Sequence, residues 1–98
     1  MMSGKENKLQ KTCINWCNKH GLLAINIHGG GWGNKGFPDL LIFKNGRAVA
    51  VELKNGNAYT QQPIQKMWQQ KFEQVKTPYL VIHSFSEFQE QVERNFKK

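Results

Sequence analysis

Apolar residues recur at helical spacing at the start of the chain and as short runs in its middle. From Glu6 to His20 they return every three or four residues, which predicts an amphipathic helix, and Gly21 is a natural helix stop. The apolar run over residues 22–28 predicts a short strand. Residues 29–36 are rich in glycine and are predicted to form a loop.

Two further apolar runs, partly β-branched, are separated by Asn45 and Gly46. An Asn-Gly pair between two such runs is the strongest short-range signal of a two-residue hairpin turn. We therefore predict an antiparallel hairpin from residues 39–44 and 47–54. Apolar residues occupy both faces of these strands, so we expect the sheet to be covered on both sides.

The rest of the chain predicts a helix, a strand and a last helix. The first of these helices is expected over residues 62–75, with Pro63 in its first turn. Residues 79–83 predict the strand, and Ser84 or Ser86 is expected to cap the C-terminal helix. The apolar stripe that we expect the helix over 62–75 to bury consists of Ile64, Met67, Trp68, Phe72 and Val75.

The 98 residues of the chain suffice for one domain, residues 1–98. A domain of this size is only marginally stable alone.

The charge of the chain indicates what kind of partner it binds. The formal net charge of +7 indicates a polyanionic partner, most commonly nucleic acid, although excess lysine also serves solubility.

The cysteines and the hydropathy exclude two other classes. Cys13 and Cys17 are four residues apart without a second Cys/His pair, so we expect buried free thiols rather than a zinc site. No apolar run could span a membrane and no signal segment begins the chain, so a cytoplasmic location is expected.

The hairpin turn sets a register that brings two carboxylates together. With Asn45 and Gly46 as the loop residues, Asp39 lies directly opposite Glu52 on the same face, and Lys54 shares that face. A divalent cation such as Mg²⁺ or Mn²⁺ would offset the repulsion between the two acids, and these groups suit phosphodiester hydrolysis. As a bare spacing, the three residues are more often ordinary surface side chains, and it is the register of the hairpin that favours a site.

Residues 37–39, Phe-Pro-Asp, and residues 52–54, Glu-Leu-Lys, resemble the PD-(D/E)xK nuclease superfamily. More narrowly, the chain resembles the VRR-NUC family in its minimal stand-alone form from phages and prophages. The pattern of that family includes an early glutamate, a glycine-rich segment before Gly-x-Pro-Asp, and a later Gln-x-x-Trp. Here these are Glu6, residues 29–36 and residues 65–68. The resemblance covers nearly the whole chain, as a single VRR-NUC nuclease domain.

The resemblance implies an α/β fold with a restriction-endonuclease-like core, in the order α-β-β-β-α-β-α, whose mixed sheet is flanked by helices. It also implies that Asp39, Glu52 and the backbone carbonyl of Leu53 would bind Mg²⁺ or Mn²⁺. Lys54 would then act on the attacking water or on the transition state.

The resemblance adds less specific members to the site. Glu6 would make an outer-shell or second-metal contact, although a first-turn glutamate also suits the helix dipole. Gln65 would line the site, although a solvated glutamine is an open alternative. Other residues suit nucleic acid: glycines that let a DNA backbone approach, a tryptophan that would stack on a base or pack on a second subunit, and lysines for phosphate. These are Gly30, Gly31, Trp32, Lys35, Lys5 and Lys8.

The leading hypothesis from the resemblance is a metal-dependent endonuclease that cuts branched or structured DNA, such as Holliday junctions, as a homodimer. Its expected setting is the cytoplasm of a bacterial host, encoded by a phage or prophage. Two alternatives stay open. One is a flap or nicking nuclease of the same fold, which needs no two-fold symmetry. The other is a non-catalytic DNA-binding accessory protein.

Overall fold

Three helices and four strands make up the part of the chain that the structure describes. This computed structural model describes residues 4–27, 37–54 and 63–97, with side chains from Lys8 onward in the first range. The predicted order is confirmed, with small differences at the ends of the elements. In chain order they are α1 (Gly4–Lys19), β1 (Leu23–Asn26), β2 (Leu40–Lys44), β3 (Arg47–Leu53), α2 (Pro63–Gln74), β4 (Tyr79–Ile82) and α3 (Phe85–Phe96).

The four strands form one mixed sheet in the order β1-β2-β3-β4. The first three are mutually antiparallel, and β4 lies parallel to β3. A parallel pair needs a crossover connection, and the segment that contains α2 makes it. The predicted α/β fold with a mixed sheet and flanking helices is therefore confirmed.

The turn between β2 and β3 fixes their register. Asn45 and Gly46 both have positive φ angles, 53° and 78°, which a two-residue turn of this hand requires and which Asn and Gly adopt at low cost. Lys44 consequently lies opposite Arg47, and the pairing runs on to Leu40 opposite Val51. This is the register predicted from the Asn-Gly pair.

The main hydrophobic core lies between the sheet and the pair α1 and α3. Cys13 and Cys17 are fully buried free thiols in this core, as predicted. Burial raises the pKa of Cys13 to about 12, with a further contribution from the neighbouring Cys17, and it raises the pKa of Cys17 to about 11. Both thiols therefore stay protonated at neutral pH and act as apolar packing groups.

The predicted buried stripe of α2 is wrong at Ile64, Met67 and Val75 and right at Trp68 and Phe72. Ile64, Met67 and Val75 are 40%, 38% and 68% exposed, whereas Gln65 is 7% exposed. The helix faces inward with residues 65, 68 and 72, whose spacing of three and four is as helical as that of the predicted stripe. Periodicity alone does not choose between residues 64 and 65 as the inward position of the first turn, and here the polar Gln65 takes it.

The expectation that both sheet faces are covered is also wrong in one place. Leu23 and Ile25 on β1 are 59% and 41% exposed, and they pair with the half-buried Phe43 and Leu41 on β2. These four residues, which we name the β1–β2 strip, lie on the sheet face opposite the main core. The rings of Phe72 and Tyr79, 6.0 Å apart, show that α2 packs on this same face but at β4, the opposite edge of the sheet.

Local hydrogen bonds fix the start of α3. Of the two predicted caps, Ser84 is the N-cap, and its Oγ accepts from the backbone N–H of Glu87 at 3.2 Å. The Glu87 carboxylate in turn accepts from the backbone N–H of His83 at 2.6 Å.

Across residues 4–27, 37–54 and 63–97, the helices are all too short or too polar to cross a membrane.

Candidate active site

Asp39 lies immediately before β2, one residue beyond the last pair of the hairpin, and is 5% exposed. Its Oδ2 accepts a hydrogen bond of 2.7 Å from the backbone N–H of Leu53. Its backbone carbonyl accepts from the N–H of Ile27 at 3.0 Å, next to the end of β1. The side chain and the backbone of Asp39 are thus bonded to the strands on either side of β2. A charge-assisted bond of this length holds the carboxylate firmly.

Glu52 lies in the second-last position of β3 and is also 5% exposed. Its neighbours Val51 and Leu53 point into the main core, so the alternation of a strand directs Glu52 to the face that carries α2. Its Oε2 accepts a hydrogen bond of 3.1 Å from Nε2 of Gln65. The carboxylate thereby connects β3 to the first turn of α2.

Lys54 follows β3 directly, and its ammonium lies beside the Glu52 carboxylate. The distance from Nζ to Oε2 of Glu52 is 3.1 Å, and the lysine side chain is 19% exposed. Its backbone N–H donates to the carbonyl of Ile82 at 2.8 Å, so pairing with β4 fixes the main chain here. The ammonium is therefore held by a buried acid and still reachable from solvent.

These three side chains, which we name the acid–lysine cluster, suit a divalent cation. Two nearly buried carboxylates and one ammonium lie together at the end of the hairpin, and a bound cation would compensate negative charge that is costly to bury. Carboxylate and carbonyl oxygens are the ligands that Mg²⁺ and Mn²⁺ prefer. Within the described ranges, no three His, Cys, Asp or Glu side chains are placed so that they could hold a metal ion together. Backbone oxygen and water would therefore complete the coordination.

The remaining predicted site residues fall into two groups. Gln65 is buried against Glu52, and Lys8 is exposed on α1. The others lie outside the described residues, either entirely or in their side chains. These are Gly30, Gly31, Trp32 and Lys35, together with the side chains of Lys5 and Glu6.

An aromatic contact connects the segment before Asp39 to α2. The sequence analysis did not predict this contact. The ring of Phe37 packs edge-on against Trp68 with centroids 4.8 Å apart, and it lies 5.8 Å from Phe72. Pro38, which lies between Phe37 and Asp39 in the chain, is fully buried. Because Phe37 is two residues from Asp39 and Trp68 is three from Gln65, this contact aligns the two halves of the site. The aromatic residue directly before Pro-Asp was the signal available in the sequence.

Comparison with known proteins identifies the fold of this chain. The chain matches no family profile and no curated protein sequence. A solved structure described as a VRR_NUC domain has 24% sequence identity and a TM-score of 0.78, over 96% of this chain and 100% of that one. A VRR_NUC domain protein has 15% identity and a TM-score of 0.75, over 99% of this chain and 92% of that one. The chain therefore has the fold of VRR_NUC domains, which confirms the fold that the resemblance implied and supports the resemblance itself.

The inward orientation of α2 can be tested by two neighbouring substitutions. We expect Gln65→Ala to lower the free energy of unfolding by about 1.5–3 kcal/mol, because it removes a buried hydrogen bond to a charged group. The matched control Ile64→Ala trims a side chain that is 40% exposed and should cost less than about 1 kcal/mol. Urea denaturation of the variants and the parent measures both. A larger loss for Ile64→Ala than for Gln65→Ala would contradict the observed orientation.

Proposed function

We propose that the protein is a metal-dependent endonuclease that hydrolyses phosphodiester bonds of DNA at the acid–lysine cluster. The observation that carries this proposal is the pair of nearly buried carboxylates beside a solvent-reachable ammonium, at one end of a sheet. A purely structural cluster would gain little from burying a second acid next to the first. The likeness to VRR_NUC domains supports the same reading.

In this proposal Asp39, Glu52 and the backbone carbonyl of Leu53 would hold Mg²⁺ or Mn²⁺, with Glu6 as a further contact. When bound, the cation would supply charge neutralisation at the phosphoryl group and lower the pKa of a water molecule. Hydrogen bonds within the protein hold the two carboxylate ligands in place before the cation binds. The backbone N–H of Leu53 holds Asp39, and Gln65 holds Glu52. Preorganised ligands do not need to be ordered when substrate arrives.

Lys54 is the group that would act on the substrate itself. Its ammonium has three donors and no acceptor, and the ion pair with Glu52 occupies part of this capacity. The ammonium can orient the attacking water or stabilise a phosphate oxygen that gains negative charge. Gln65 would act through Glu52 as a positioning residue.

The distribution of charge favours one side of the molecule for DNA. Of the seven acidic residues in the chain, Glu87, Glu90 and Glu93 lie on α3. Within α3 they stand against Arg94, whereas α2 carries Lys66 and Lys71 against Glu73, so α3 is net acidic and α2 is net basic. Lys66 and Lys71 are exposed on α2, which lies on the face of Glu52. We infer that DNA approaches over α2, away from α3.

The lysines and the glycine-rich segment complete the proposed DNA surface. Lys8 on α1 is exposed and can bind phosphate. On the chemistry of the residue types alone, the further contacts in this proposal are Lys5, Lys35, Gly30, Gly31 and Trp32.

A homodimer would explain the exposed β1–β2 strip. Leu23 and Ile25 lie on the edge strand of the sheet, and with Leu41 and Phe43 they form a contiguous apolar patch. Exposed contiguous apolar patches are characteristic of interaction sites. A two-fold axis at this strip would bury it on its own copy and would give a dimer with two clusters. Two related sites suit paired cuts in a branched DNA such as a four-way junction.

The proposed activity is tested on four-way-junction, flap, duplex and single-stranded DNA with Mg²⁺ or Mn²⁺. We expect cleavage that is strongest on the junction and absent in a chelator. Asp39→Asn and Lys54→Met should each lower the rate by about 100-fold or more, because each removes a group that binds the metal or the transition state. Glu90→Gln and Lys19→Met change the same kinds of charge on exposed helix positions and serve as matched controls.

The substrate panel also separates the alternatives. Preferential cutting of a flap, or single nicks without symmetry, would identify a flap or nicking nuclease. Binding of DNA without cleavage under all conditions would identify an accessory protein. Cleavage that persists in Asp39→Asn would remove the acid–lysine cluster from the reaction.

The proposed dimer surface is tested by light scattering on a sizing column. We expect the protein to elute at twice the chain mass of 11.3 kDa. Ile25→Lys should shift it to the monomer, because a buried ammonium without a partner opposes association. Val75→Lys is the control, since Val75 is more exposed than Ile25 and lies at the end of α2. A monomeric parent protein, or dissociation by Val75→Lys alone, would contradict the assignment.

A further inference from the structure

A groove lies on the opposite face of the sheet and at its opposite end from the acid–lysine cluster. It is formed where the C-terminal ends of α1 and α3 meet the end of β2, next to the hairpin turn, and its volume is about 420 Å³. This volume falls in the range of roughly 300–1,000 Å³ that is typical of ligand sites. Lys44, at the rim, ends the strand that begins beside Asp39, which places the groove about 15 Å from the cluster.

The floor of the groove is apolar. Trp16, Leu22 and Val92 belong to the main core, and Phe96 packs against it. The indole of Trp16 is held on two sides: His20 stacks on it at 4.4 Å between ring centroids, and Phe88 meets it edge-on at 5.8 Å. A fixed aromatic surface of this kind suits a flat or bulky apolar side chain.

The rim of the groove carries charge that the described residues do not neutralise. Lys44 comes from β2 and Lys97 from the end of α3, and neither forms an ion pair with any residue in the described ranges. Glu93 is the acid on this rim. The rim therefore carries two ammonium groups and one carboxylate. His20, which also lines the groove, donates its Nδ1–H to the backbone carbonyl of Trp16 at 2.8 Å.

We propose that this groove binds an acidic peptide segment of a partner protein, which inserts one aromatic side chain against Trp16. Carboxylates beside that side chain would pair with Lys44 and Lys97. Neither DNA nor a second copy fits as well. The stacked bases of duplex DNA cannot enter the groove, and a second copy would bring the same net charge of +7.

This site would leave the acid–lysine cluster accessible, because the two lie at opposite ends of the sheet. The partner would therefore recruit the protein without blocking its substrate. The inference does not depend on the proposed nuclease activity, and its test measures binding alone.

The probe is the tetrapeptide Asp-Asp-Asp-Phe, titrated into the ¹⁵N-labelled full chain while the assigned indole N–H signal of Trp16 is followed. We expect a saturable shift of that signal. Asp-Asp-Asp-Ser, which lacks the aromatic side chain, and Lys-Lys-Lys-Phe, which lacks the acids, should give none. Equal binding of either control peptide, or the absence of saturation with the probe, would overturn the proposal. A saturable shift with a short single-stranded oligonucleotide would assign the groove to nucleic acid and overturn it too.

Charge substitutions on the rim give a test with opposite signs. Lys44→Gln and Lys97→Gln should each weaken binding about 2- to 5-fold, as expected for the loss of one partly exposed ion pair. Glu93→Gln should strengthen binding, because it removes the acid from the rim. Lys71→Gln on α2 is the matched control and should leave the affinity unchanged. Weakening by Glu93→Gln, or equal weakening by Lys71→Gln, would contradict the proposed contacts.

Discussion

The hydrogen bond between the backbone N–H of Leu53 and the Asp39 carboxylate joins the parts of the molecule that must meet for a site to exist. Asp39 precedes one strand of the hairpin and Leu53 ends the other, so the bond can form only in the observed register. That register is set at the far end of the strands by the positive φ angles of Asn45 and Gly46. A shift by one residue would direct Glu52 into the apolar core.

The burial of Glu52 in turn explains the layer that covers it. A buried carboxylate needs donors, and Lys54 and Gln65 supply them from β3 and α2. Because Gln65 must face the sheet, α2 turns Trp68 and Phe72 inward, and Trp68 meets Phe37 just before Asp39. The same orientation leaves Ile64, Met67 and Val75 exposed. The hydrogen bond of Gln65 is thus compatible with only part of the apolar stripe of α2, namely Trp68 and Phe72.

The features that depend on local chemistry could be predicted from the sequence, and those that depend on packing could not. The turn at Asn45-Gly46 and the stop at Gly21 reflect backbone preferences of single residues, and the pairing of Asp39 with Glu52 follows by counting from the turn. The inward face of α2 depends on a partner 13 residues away, Glu52 for Gln65. The exposure of Leu23 depends on which strands α2 covers. The groove beside Trp16 is formed by α1, β2 and α3, which are distant from one another in sequence, so no local sequence pattern predicts it.

The central claim is that Asp39 and Glu52 form one divalent-cation site at the end of the hairpin. Paramagnetic broadening by Mn²⁺ tests it most directly, because the ion broadens the amide signals of nearby residues whether or not catalysis occurs. At low Mn²⁺ concentrations we expect the amides of Asp39, Leu53 and Lys54 to broaden first, and Asp39→Asn to abolish this selectivity. Broadening that centres instead on the glutamates of α3, or that is unchanged in Asp39→Asn, would contradict the account.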